Sequence, residues 1–368
     1  MPIDRIYINN FKSIKSSGDI KIGPLNVLIG PNGVGKSNFI SFFKLLNSIS
    51  TKRLPSYVAD NDFANRILYY GKKQSKELSG GIVFKIRGGN TNNRYDFVLK
   101  PDQTDGFYFE KELIGYNIFS QKYSEKWDKR SLNSTGEKNS GLDKHASTRV
   151  EYLKKFFAEF QVFHFHDTSS SAPLKQAAKL RDNSALREDG SNLAAFLYKI
   201  SKKNPLNFKL IEYAIRSIAP FFDRFDLHPD NLNPDIIFLK WLEKGSDDYF
   251  EANNLSDGSI RFIALVTLLL QPNPPGTIII DEPELGLHPS AINKLAAIIK
   301  SASLKSQIIL STQSINLLDQ FSPEDIIVVD RKENQSTFSR LEKSALENWI
   351  KEYSIGELWS KNVIGGTP

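Results

Sequence analysis

Gly30-Pro31-Asn32-Gly33-Val34-Gly35-Lys36-Ser37 fills the pattern G-x-x-x-x-G-K-[ST] at every fixed position. Its setting decides what the pattern means. The apolar run Leu25-Asn26-Val27-Leu28-Ile29 enters it as a buried strand would, and Ser37-Asn38-Phe39-Ile40 leaves it as a helix would. Strand, glycine loop and helix N-terminus together aim a nest of backbone N–H groups at a polyphosphate, from Asn32 through Gly33, Val34, Gly35, Lys36 and Ser37 to Asn38. Lys36 is expected to reach the β- and γ-phosphates and the Ser37 hydroxyl to hold Mg²⁺. The plainer alternative is a hairpin turn followed by an unrelated helix.

A second element lies far downstream. Thr277-Ile278-Ile279-Ile280-Asp281-Glu282 is an apolar strand ending in two acids. In an open α/β sheet that end is the carboxyl edge, where ligands sit. Asp281 is the expected Mg²⁺ residue, and Glu282 is placed to polarise a water for attack on the γ-phosphate. Before this strand, Leu255-Ser256-Asp257-Gly258-Ser259 opens an apolar helix from Ile260 to Leu270, a second helix terminus suited to an anion.

Between these parts the pattern predicts strands over 3–9 and 19–29 around a turn at Ser16-Ser17-Gly18, and a helix over 37–49. It predicts a hairpin from 81–87 and 95–99 about Gly88-Gly89-Asn90, and an exposed mobile loop over 121–145. Helices are expected at 148–160, 191–202 (opened by Asp189 to Asn192) and 207–220, then a strand at 235–240. Neither internal repeats nor sustained heptads occur, so a long coiled-coil arm is not expected.

The composition is that of a soluble globular protein, 40% apolar and 24% charged. The longest apolar run, Phe262 to Leu270, is too short to span a membrane. There is no cysteine, which excludes disulfides and thiolate metal sites, and no signal-peptide layout, so a cytoplasmic protein without a membrane partner is expected. The net charge is +6. From Gln121 to Lys155 nine Lys or Arg face five Asp or Glu, either a nucleic-acid patch or a solvated, self-balanced loop.

These residues carry a family resemblance. The set resembles the ABC-type ATPase heads of the SMC, RecF and OLD-like group. Asn9-Asn10-Phe11-Lys12-Ser13-Ile14 resembles their opening strand and turn. Gly30 to Ser37 matches Walker A, Leu255 to Ser259 resembles the signature LSGGQ, and Ile278 to Glu282 matches Walker B. Glu284 to Pro289 resembles the approach to the D-loop, and Ile308 to Ser314 lies where the family has its switch. The match covers roughly 1–50 and 250–330 and is loose between.

The resemblance implies an α/β, ABC-type P-loop head: a mixed sheet flanked by helices, an antiparallel β subdomain, and a β-plus-helical insertion. The expected division is residues 1–60 and 251–330 for the head, 61–250 for the insertion, and 331–368 for a tail that packs back or docks a partner. It also implies a head-to-tail dimer with ATP and Mg²⁺ sandwiched between copies. Ser256 and Gly258 of one copy would cap the γ-phosphate held by Lys36 of the other, with Glu282, Lys36 and Gln313 as the catalytic set. From resemblance alone, the expected biology is DNA-linked or anti-phage, with the ATPase gating a separate effector such as a nuclease, since OLD-type proteins continue into a Toprim domain and none is expected here.

Two positions depart from the family pattern. Gln313 stands where many relatives have His; it can donate a hydrogen bond but carry no charge, which predicts slow turnover. Asp257 replaces the first signature glycine; it is expected either to cap its helix or to pair with Arg261 at i+4. No glutamine is assigned to the Q-loop. His164 and His166 share a strand face, as a metal site or a strand edge near the nucleotide, and His288 serves the interface or merely opens a helix. The rival readings are a nucleotide-sensing scaffold with little turnover and a transporter nucleotide-binding subunit, whereas a GTPase is disfavoured by the lack of Asn-Lys-x-Asp.

Overall fold

The computed structural model describes residues 2–85, 91–118, 127–145 and 147–366. Its centre is a six-stranded sheet in the order Gln335–Arg340, Ile326–Lys332, Leu25–Ile29, Gln307–Ser311, Thr277–Asp281, Val162–Phe163. All neighbours are parallel except the first pair. Leu25–Ile29 is buried at all five positions, as a parallel strand covered on both faces must be. Its one polar residue, Asn26, is satisfied: its side chain accepts from Gly23 N and donates to Gly23 O and Ile308 O.

Strand alternation sends Val27, Ile280, Leu310 and Val328 to one face and Leu28, Ile279, Ile309 and Val329 to the other. The first face packs on helices Leu193–Lys203, Pro205–Arg216, Asp257–Leu270 and Pro289–Ser303. Asp257–Leu270 is buried almost all round, so it is a core helix and not a surface amphipath. The second face packs on helix Lys36–Ser50 and an antiparallel sheet in which Ile3–Phe11 pairs with Ile14–Ser16, Ile20–Lys21 and Leu78–Lys85, followed outward by Thr91–Pro101, Phe107–Ile118 and Asp128–Ser131. Phe39, Phe43, Phe160, Phe156 and Phe84 link that sheet, helix Lys36–Ser50 and helix Thr148–Ala158 through ring contacts of 4.9–5.6 Å. Each such pair adds about 0.5–1.5 kcal/mol beyond its buried area, which fixes the helix that carries the glycine loop.

The mixed sheet, flanking helices and antiparallel subdomain are those expected of an ABC-type P-loop head. Residues 61–250 are interleaved with it: Leu78–Lys85, Thr91–Pro101 and Phe107–Ile118 extend the antiparallel sheet, and Val162–Phe163 forms an edge of the central one. Several local expectations change. The strand expected over 19–29 breaks at Gly23-Pro24, and its halves enter different sheets. The strand expected over 235–240 divides into Ile236–Ile237 and Lys240–Glu243, again in separate small sheets. The expected hairpin pairs from Leu78↔Leu99 to Lys85↔Asn92, while its turn lies outside the described residues.

Residues 127–145 are not a free loop. Leu132 and Leu142 are buried, and the buried Glu112 accepts from Tyr95 Oη, Ser140 Oγ and Gly141 N. Their cations are mostly paired, Lys129 with Asp96, Lys138 with Asp102 and Lys144 with Glu137, which favours the self-balanced reading of this stretch. Lys122 and Lys126 lie outside the described residues. The tail packs back as expected but as short pieces, Lys343–Leu346, Trp349–Lys351 and Ile355–Ser360, anchored by Trp359 Nε1 donating to Gly366 O and by Gly356 N donating to Asp319. Among the described residues no helix is long and apolar enough to cross a membrane.

Candidate nucleotide site

Three neighbouring parallel strands end together, and their ends carry the glycine loop, the acidic pair and the switch. The loop of Gly30 to Ser37 feeds helix Lys36–Ser50, with Gly35 at φ 112°. A side chain at Gly35 would meet Ser13 Oγ at 2.6 Å and strike Ser336 Oγ. These serines brace the loop from below: Ser336 Oγ donates to Val34 O, the two hydroxyls lie 2.6 Å apart, and Asn38 Nδ2 donates to Ser13 Oγ at 2.7 Å. Ser336 has no sequence signal pointing here; Ser13 had one only through the Asn9–Ile14 stretch.

Lys36 is 5% exposed, and its Nζ donates to Gly30 O and to Pro31 O. Burial pushes its pKa down, against the upward pull of Glu282, Asp281 and Glu284. The lysine and the acidic strand therefore share one electrostatic site across the intervening switch strand. Asn32, Gly33 and Ser37 are exposed and Val34 is buried.

Asp281 stands in register with Ser311 of the switch strand and accepts from its hydroxyl. Glu282 adopts φ 45°, an uncommon conformation for a non-glycine residue, and its N–H donates to Ser311 O at 3.1 Å. Its Oε1 accepts from Gln313 Nε2. The donor set of one exposed hydroxyl, Ser37, and one half-buried carboxylate, Asp281, is hard and oxygen-only, which fits Mg²⁺ held jointly with phosphates.

The signature segment opens helix Asp257–Leu270. Ser256 is its N-cap, accepting from Ser259 N at 3.2 Å, so Asp257 does not cap the helix as expected. Asp257 does not pair with Arg261 either. Its partner is Lys175, 3.5 Å away, from the insertion. Arg261 instead donates to three backbone carbonyls, Phe165 O, His166 O and Leu285 O. Gly258 sits so close to the next loop that a Cβ would lie 2.6 Å from Gly286 O.

The segment following the edge strand Val162–Phe163 reads His164-Phe165-His166-Asp167 and contains no glutamine. His166 Nε2 lies 3.0 Å from Asp281 O and His164 Nδ1 lies 3.0 Å from Val162 O. This agrees with a strand edge beside the acidic strand, and no cluster of three metal-ligating side chains occurs among the described residues. His288 is the N-cap of Pro289–Ser303, the helix-opening role.

Residues 25–319 match the family described as "AAA domain, putative AbiEii toxin, Type IV TA system". The chain belongs to that family. Over 144 residues it is 27% identical to the DNA replication and repair protein RecF of Actinobacillus pleuropneumoniae, spanning 33% of this chain and 40% of RecF. Its fold matches the SMC head bound to the C-terminal winged-helix domain of ScpA, with TM-score 0.61, 15% identity, and coverage of 95% of this chain and 100% of that one. A second match is the Pyrococcus furiosus SMC head with an extended coiled coil, bound to the C-terminal domain of ScpA, with TM-score 0.57, 15% identity, and coverage of 95% and 98%. The chain thus carries an AAA domain with the fold of SMC heads, in line with the resemblance its motifs carry.

Proposed function

We propose that this head binds Mg-ATP and hydrolyses it slowly between two copies of the chain. The observation that carries the reading is the convergence of Lys36, Asp281, Glu282 and Gln313 on one sheet edge, with Gln313 Nε2 on the Glu282 carboxylate. Lys36 and the loop N–H groups bind the phosphates. Ser37 and Asp281 would hold Mg²⁺, which would offset phosphate charge. Glu282 orients the attacking water, steadied by Gln313, and accepts its proton. Ser256 and Gly258 act in trans, a role supported by the outward exposure of Ser256.

The test is the solution mass of the Glu282→Gln protein by light scattering, with and without Mg-ATP. An ATP-dependent doubling is expected, and Lys36→Ala is expected to abolish it. Failure of the wild-type protein to bind ATP would overturn the reading. A second reading, a nucleotide-sensing clamp with little turnover, is favoured by the same Gln313–Glu282 hydrogen bond, which occupies the base. Absence of phosphate release in a single-turnover assay would select it.

We further propose a cytoplasmic role in which the dimer gates a separate effector such as a nuclease, in anti-phage defence and with DNA as a ligand. The toxin–antitoxin description of the family and the DNA-repair name of RecF support this. Co-purification on Glu282→Gln with ATP tests it.

A further inference from the structure

We infer that Glu284 is the positioning residue of the switch, holding Gln313 through its backbone while Glu282 holds it through its side chain. The inference rests on the ATPase reading for its kinetic consequence and on hydrogen bonds alone for its structural one.

Glu284 follows the acidic strand and is 9% exposed. Its Oε1 accepts from Thr312 Oγ1 at 2.6 Å and from Gln313 N at 3.2 Å. Thr312 Oγ1 in turn accepts from Ser314 N at 3.0 Å, and Ser314 Oγ caps the short helix Ile315–Leu318. One carboxyl oxygen therefore holds two successive switch residues directly and a third through the Thr312 hydroxyl. From this backbone position Gln313 Nε2 donates to the Glu282 carboxylate.

A carboxyl here is expensive for a purely structural part. Burial pushes its pKa up, and among the described residues Oε2 is buried with no hydrogen-bond partner. A buried, half-satisfied acid is destabilising unless the bonds it does make are needed. Both bonds it makes to other loops go to the switch. Glu284 also joins the switch to the loop under the signature helix: Arg261 Nη1 donates to Leu285 O at 2.7 Å and Gly258 packs on Gly286 O. The same residue thus ties the Gln313 backbone to the segment on which Gly258 and Arg261 rest.

The experiment uses the full chain and five proteins: wild type, Glu284→Gln, Glu284→Ala, Thr312→Val and Gln313→Ala, with the Glu284→Ala/Gln313→Ala double variant completing a cycle. The first readout is amide hydrogen exchange at Gln313, which needs no turnover. Exchange is expected to accelerate in Glu284→Ala and to stay near wild type in Glu284→Gln, whose amide oxygen accepts the same bonds. The second is single-turnover hydrolysis beside ATP affinity. Glu284→Ala is expected to slow hydrolysis by about a hundredfold at nearly unchanged affinity, the size of effect that misplacing a catalytic group produces. The double variant is expected to be no slower than Gln313→Ala.

Thr312→Val removes the hydroxyl's bonds to Glu284 and from Ser314 N but leaves the Glu284 bond to Gln313 N, and is expected to fall between, which keeps the test usable if Glu284→Ala fails to fold. Unchanged Gln313 exchange in Glu284→Ala, or losses that multiply in the double variant, would overturn the inference. A wild-type protein that binds ATP without hydrolysing it would instead overturn the ATPase reading, leaving the exchange result to judge Glu284.

Discussion

Lys175→Met isolates what the replacement of a signature glycine by Asp257 requires. The Lys175 stem is 7% exposed, and its Nζ lies 3.5 Å from an Asp257 carboxylate that is 64% exposed. As a stability element such a pair contributes about 1 kcal/mol or less, so the unfolding midpoint should hardly move. Assembly is another matter. Asp257 adjoins Ser256 on the face proposed to meet the partner's γ-phosphate, and without Lys175 that carboxylate faces phosphate uncompensated. Two unit charges 4 Å apart repel by about 4 kcal/mol at an effective dielectric of 20, and by about 2 kcal/mol at twice the distance. The smaller figure weakens association about thirtyfold. The assay is an ATP titration of dimer mass in the Glu282→Gln background, with and without Lys175→Met, at low and high salt. The deficit should shrink as salt screens the pair and should vanish when Asp257→Gly is added. A Lys175→Met protein that dimerises like its parent at low salt would refute the reasoning, as would a deficit that survives Asp257→Gly.

Gly35→Ala should abolish ATP binding while leaving the fold intact, checked by calorimetry and circular dichroism, because its Cβ has no room beside Ser13 and Ser336 and its φ is 112°. Arg261→Met removes charged donors from three backbone carbonyls and should lower stability by about 3 kcal/mol in urea unfolding, with Arg261→Lys recovering part of it. Stability should fall as pH rises above 4.5. Burial raises the carboxyl pKa values of Glu112, Glu212 and Glu284 above 4.5, so the fold binds protons more tightly than the unfolded chain and loses that advantage as pH climbs through the raised values. Glu212→Gln, which keeps the acceptor for Phe225 N, should flatten the slope. Asp102, held down to about 2 by Lys138, opposes this only below its usual 3.8.

Parts of the fold were legible where backbone physics acts locally. Five consecutive buried positions marked Leu25–Ile29, and helical spacing marked Lys36–Ser50. The break at Gly23-Pro24 carried a readable signal as well, since proline withholds a ladder donor. What hid it was pairing: Ile20–Lys21 and Leu25–Ile29 part to different sheets, and nothing in an apolar run states which neighbour a strand will meet. The described part of the expected loop, residues 127–145, misled for the opposite reason. Its Lys, Ser and Gly residues read as solvated, yet Leu132, Ser140, Gly141 and Leu142 converge around Glu112, a carboxylate nearly thirty positions upstream of Ser140 in the chain.

The candidate site divides along the same line. Lys36, Ser37, Asp281 and Glu282 were readable because each sits at a fixed offset from a glycine turn or a strand end. Ser336, Lys175, Arg261 and Glu284 act on partners 302, 82, 96 and 28 positions away, and no local spacing encodes those meetings. Their chemistry nonetheless follows one rule. The motif residues supply charge, and the distant residues decide where that charge is allowed to point: Ser336 holds the loop, Lys175 neutralises the signature acid, and Glu284 fixes the switch. Substituting a motif residue should therefore remove binding or chemistry outright, whereas substituting a distant one should leave nucleotide bound and disturb what happens next. That separation is measurable as affinity against turnover, and it is the point at which a head that hydrolyses differs from one that only holds its nucleotide.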